Sequence, residues 1–149
     1  MSLTETIKQD MKTALRAGAK LELGALRMAL AAIKLREIEV RGPLGDDAVV
    51  SVIGKLIKQG RDAEQQFEAA GRSELAAKEA AEIAVFERYL PKALGVDEVE
   101  ALIARSIEAS GATGASDMGR VMTAIKAEAA GRVDMSAVSA RVREILSAR

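Results

Sequence analysis

Apolar residues recur at intervals of three and four along almost the whole chain, and nowhere do they alternate over the length of a strand. The spacing predicts a first helix from about Leu3 to Ala17, stopped at Gly18, and a second from about Lys20 to Val40. In the second, Leu23, Leu26, Leu30 and Ile33 make a core stripe, and Leu21, Met28 and Leu35 make a flanking one. Two stripes predict a central helix buried on two sides. Gly42-Pro43-Leu44-Gly45 breaks the pattern, and Asp46 or Asp47 can cap a third helix carrying Val49, Ile53, Leu56, Ala63 and Phe67. Gly71 is a stop signal and Ser73 a cap for a fourth helix, which carries Leu75, Ile83, Phe86 and Leu90. Pro91 halts it, because its ring keeps the preceding residue out of the helical region.

Lys92-Ala93-Leu94-Gly95 reads as a joint, dividing the chain into a subdomain over 1–94 and a three-helix subdomain over 95–149. Asp97 with Glu100 resembles a capping box ahead of Val99, Leu102, Ile103 and Ile107. After the small-residue turn 111–115, Ser116 can cap a helix with Met118, Val121, Met122 and Ile125 on one face. Gly131 ends it, and Asp134 caps a last helix with Val138, Val142 and Ile145. No repeat, low-complexity segment or run of coiled-coil heptads stands out. The fold class is all-α and multihelical, as two small helical subdomains.

Composition agrees: 29 alanines, many Leu, Glu, Lys and Arg, and only two prolines favour helix throughout. The chain has no histidine, cysteine or tryptophan. That removes the imidazole and thiolate on which most general-base, thiol and zinc chemistry depends. No metal, cofactor or disulfide is therefore expected. Carboxylate pairs such as Glu79 with Glu82, or Asp46 with Asp47, read as surface or cap residues, since nothing around them predicts burial or a shifted pKa. The run at 111–116 is not followed by the Gly-Lys-Ser/Thr of a phosphate loop. No apolar run is long enough to cross a bilayer, and MSLTETIKQD does not read as a secretory leader, so a cytoplasmic protein is expected.

The 22 basic and 22 acidic residues cancel. Non-specific nucleic-acid binders normally carry a cationic excess, so any attraction for phosphate here must be local. Residues 1–42 are the uneven part, with eight basic and five acidic groups. Within them Lys20, Arg27, Lys34 and Arg41 lie seven apart and share one helix face, drifting only about 20° per step. Such a row can track a phosphate backbone. It can equally be the solvated edge of a buried helix, and Glu37 is placed to pair with Arg41. Lys55, Lys58 and Arg61 make a weaker edge, which Asp62 offsets. The aromatics are Phe67, Phe86 and Tyr89. Both phenylalanines fall on apolar stripes, so they are expected in the core and not as base-stacking platforms.

Asp117-Met118-Gly119-Arg120-Val121-Met122, then Ile125-Lys126, then Gly131-Arg132-Val133-Asp134, resembles the closing motif of the GatB/YqeY family. Gln66 to Arg72, Glu87-Arg88-Tyr89-Leu90-Pro91, and Leu26-Arg27 through Lys34 to Glu39 resemble the stand-alone branch of that family. The family turn ends in glycine where this chain has Met135, which bears on ligand contacts needing backbone access there. The resemblance implies two all-α subdomains related to the tail domain that helps a tRNA-dependent amidotransferase hold tRNA. The catalytic cradle of that enzyme is elsewhere, so no catalytic residues are expected in this chain. Arg120, Lys126 and Arg132 lie in the matching segment and join Lys20, Arg27, Lys34 and Arg41 as candidate RNA contacts, with tRNA the implied ligand. The alternative is a protein–protein adaptor docking on a larger enzyme of tRNA metabolism, to which Met118 and Met122 are suited.

Overall fold

Ser2 opens the first helix by a reciprocal cap: its Oγ accepts from Glu5 N–H while Glu5 Oε2 accepts from Ser2 N–H. The structure, a computed structural model, describes residues 1–129 and 131–148. Among these there are seven α-helices, one short 3-10 turn and no strand.

The chain forms two compact units, Met1–Leu90 and Pro91–Arg149. The expected boundary after Leu94 falls instead after Leu90. Residues 91–94 go with the second unit because Leu94 N–H donates to Arg132 O at 2.8 Å, and Lys92 O accepts from Arg132 Nε at 3.3 Å.

In the first unit, α1 (Leu3–Ala17) and α2 (Lys20–Val40) form a hairpin turned by Gly18 at φ 68. α3 (Asp46–Ala69) and α4 (Ser73–Glu87) form a second hairpin, and α2 packs on both of its helices. Ile7, Leu26, Ile33, Val49 and Ile53 are essentially inaccessible, each worth about 1.5–3 kcal/mol in removed apolar surface. Two caps differ from expectation. Gly45 and Arg72, not an aspartate and Ser73, precede α3 and α4, and neither helix has a side-chain cap. Asp46 serves another helix: its Oδ1 accepts from Leu3 N–H at 2.9 Å and satisfies an open donor at the start of α1. Helix α4 ends at Glu87, and residues 88–90 are a turn.

The second unit packs α5 (Val96–Ser110), α6 (Met118–Ala129) and α7 (Met135–Ser147) around Ile103, Ile107, Val121, Ile125, Val142 and Leu146. Gly95, not the expected capping box, precedes α5, and Glu100 instead accepts from Arg141 Nε on α7 at 2.8 Å. Ser116 lies in the 3-10 turn Ala115–Asp117 that precedes α6. Asp134 caps α7 as expected, accepting from Ser136 and Ala137 N–H.

Phe86 is in the first core, whereas Phe67 is half-buried and outside both cores. The largest departure concerns α2. Its stripe of Leu23, Leu26, Leu30 and Ile33 faces the core, but Leu21, Met28 and Leu35 are 39%, 45% and 60% exposed. The second stripe has no helix of its own unit upon it.

Candidate nucleic-acid interface

Helix α2 places Lys20, Arg27, Lys34 and Arg41 about 10 Å apart along one side of a rod. All four are exposed, and among the described residues none makes an ion pair. The expected partner for Arg41 is otherwise engaged: Glu37 Oε2 accepts from Leu44 N–H at 3.3 Å. Arg41 itself takes the left-handed position that ends α2, at φ 59, the only non-glycine residue described with a positive φ. Glycine occupies the corresponding position after α1 and α5 without strain.

The sequence reading passed over a second row. Lys8, Lys12 and Arg16 lie four apart on α1, all exposed and without ion pairs among the described residues. Their i, i+4 spacing is legible in the sequence, but a search at seven-residue intervals misses it.

The carboxylates of the same hairpin behave differently. Glu5 closes the cap of α1, Asp10 accepts from the Tyr89 hydroxyl, and Glu22 accepts from Arg88 at 2.7 Å. Glu37 holds the loop at Leu44 and Glu39 accepts from Arg36. All five acids of residues 1–42 are thus bound internally, while among the described residues only Arg36 of the eight basic groups forms an ion pair. The hydrogen bond from Arg88 to Glu22 raises the guanidinium pKa further.

The second unit treats its candidates the other way. Arg120 is held by Asp117, three residues before it. Asp117 also accepts from Thr113 N–H, and these two bonds, the backbone one first, lower its carboxyl pKa. Arg132 ties residues 92 and 94 to the turn between α6 and α7. Lys126 alone of the three is exposed without a partner among the described residues. Six residues separate it from Arg120, so the two point to different sides of α6. Beside Arg132 lies an apolar groove of about 450 Å³, floored by Leu94, Val99, Val133 and Val138. Its charged rim is already paired, Arg141 with Glu100 and Glu144 and Asp134 with the α7 backbone.

The expectation for the Glu79 and Glu82 pair needs correction. Glu82 is half-buried, and burial first, then the neighbouring Glu79 charge, push its pKa up against the pull of Lys78. No grouping of acidic side chains suited to a metal occurs among the described residues.

With both units in view, the chain matches the model of the Yqey-like protein family over residues 4–146. It belongs to that family. It is 30% identical over 148 residues to a protein of Pyrenophora tritici-repentis named altered inheritance of mitochondria protein 41, mitochondrial, covering 96% of this chain and 80% of that one. The protein of that name from Saccharomyces cerevisiae strain S288c is 34% identical over 85 residues, 56% of this chain and 46% of its own. The one from Eremothecium gossypii is 36% identical over 101 residues, 67% and 55%. This Yqey-like chain therefore spans about half the length of the last two relatives. No described helix of it is long and apolar enough to cross a membrane.

Proposed function

We propose that the chain is an accessory RNA-binding module, with tRNA as the ligand and the α1–α2 hairpin as the surface that meets phosphate. One observation carries the reading: the hairpin presents seven exposed cations that make no ion pair among the described residues, while its five carboxylates are bound internally. Neutral net charge then poses no objection, because attraction for phosphate is set by the local field within about 10 Å at ordinary salt. Contact would run to phosphates and folded RNA shape, since the two phenylalanines are not platforms for bases. A strained Arg41 fits the same account, as a costly residue held where glycine would be cheaper.

Arg120 and Arg132 would have to leave internal partners to reach RNA, so Lys126 is the better contact in the second unit. The module works without a catalytic centre of its own, in keeping with the tail domain its family resembles. Its proposed setting is the cytoplasm; the fungal relatives are named as mitochondrial.

Fluorescence anisotropy with folded tRNA tests this. Replacing Lys20, Arg27, Lys34 and Arg41 together by Gln should weaken binding at least tenfold, and Lys126→Gln much less. Equal affinity of the quadruple variant and the parent sinks the reading.

A second reading, a protein–protein adaptor, has its own observation. Leu21, Met28, Leu35 and Ile38 leave a long apolar strip of α2 uncovered within its unit.

A further inference from the structure

Leu21, Met28 and Leu35 repeat every seven residues, and Gly24, Ala31 and Ile38 follow each of them by three. This is the three-four spacing of a seam between two paired helices, here about 25 Å long. Leu21, Met28, Leu35 and Ile38 are all exposed, whereas Leu26, Ala29 and Ile33 on the opposite side of α2 are buried. Lys20, Arg27 and Lys34 each precede a seam residue by one, the flanking position whose charge selects a partner helix. Gly24 adds an independent clue. It sits inside the helix, where glycine weakens it, and a Cβ there would meet nothing within 4 Å. Nothing inside the protein calls for a glycine at that position, and a bare backbone permits close approach from outside.

We propose that this face of α2 docks an amphipathic helix of another protein, one whose apolar seam is flanked by carboxylates. This deepens the adaptor reading and rests on it. Charge complementarity selects the occupant. A second copy of this chain lying antiparallel would set cations against cations. A parallel copy would set Lys20 and Arg27 against Ala25 and Ala32, and Lys34 against Glu39, which Arg36 already holds. An acidic flank opposes, in register, three cations that have no ion pair among the described residues. RNA would meet the same cations but leave the apolar seam in water, so the two ligands compete.

The test uses the full chain and three synthetic three-heptad helices with leucine at the seam and Glu, Gln or Lys at the flanks. Titration should give binding of the Glu helix, about tenfold weaker binding of the Gln helix and none of the Lys helix. Met28→Ser with Leu35→Ser should weaken the Glu helix at least tenfold while leaving tRNA affinity unchanged, because no charge is altered. No binding, or binding indifferent to flank charge, overturns the proposal. So does a dimer in light scattering that the same double variant dissolves, which would assign the face to a second copy. A photo-crosslinker at position 28 separates the two levels. Capture of a partner through a segment that is not an acid-flanked helix overturns the proposal and leaves the adaptor reading standing; capture of no partner removes both.

Discussion

The Tyr89 hydroxyl donates to Asp10 Oδ2 at 2.5 Å and ties the turn after α4 to the middle of α1. Tyr89 is buried, and that burial, helped by the bond to Asp10, raises the phenol pKa above its ordinary value. Tyr89→Phe should cost the first unit about 1–2 kcal/mol at neutral pH, seen as a lower urea midpoint at unchanged slope. A raised folded pKa means that the contribution is complete below the ordinary tyrosine range and lost only as pH climbs through the folded value. The difference between variant and parent should therefore hold steady through neutral pH and close in strong base.

Two mid-helix glycines make opposite predictions. A Cβ on Gly24 meets open space, so Gly24→Ala should raise stability by about 1 kcal/mol through helix propensity alone. A Cβ on Gly60 would lie 2.9 Å from Ile83 Cγ1 in the core, so Gly60→Ala should lower it, overpacking outweighing propensity. Thermal melts of the two single variants read the sign directly.

Acid should act on the two units with opposite sign at two carboxylates. Asp117 in the second unit has a lowered pKa, so its stabilising effect is present above the ordinary aspartate range and disappears as pH falls through the folded value. Asp117→Asn should remove that dependence. Glu82 in the first unit has a raised pKa, so its ionised form is disfavoured in the fold and its contribution is lost as pH rises. Glu82→Gln should stabilise the first unit at neutral pH, with the gain vanishing in acid. Hydrogen exchange resolved by residue separates the two responses.

Arg41→Gly should trade function for stability. Relieving a left-handed arginine is worth about 1 kcal/mol, while removing one phosphate contact should lower the salt slope of tRNA binding by about one. If four such contacts form, affinity should fall about 150-fold between about 50 and 200 mM salt. A slope that is the same for Arg41→Gly and the parent removes this residue from the interface.

Sequence spacing anticipated α1, α2 and the Asp134 cap, because helix period and local capping depend on neighbours within a turn or two. Caps reached from afar were not legible. Asp46 looked like a cap for its own helix and instead holds Leu3, 43 residues away. Arg120 and Arg132 looked like free contacts in a family motif. Arg120 is held locally, by Asp117 three residues before it, whereas only the fold brings the Lys92 carbonyl to Arg132, 40 residues away.

The sequence by itself determined that the chain is helical, that it breaks near Pro91, and that α2 carries two apolar stripes beside a row of cations. Which stripe is buried, and which charges are left without partners, only the tertiary structure decided. Periodicity sets which residues share a face, since helix geometry is local. Covering a face takes other helices brought from distant parts of the chain, and no local spacing records where they come to rest.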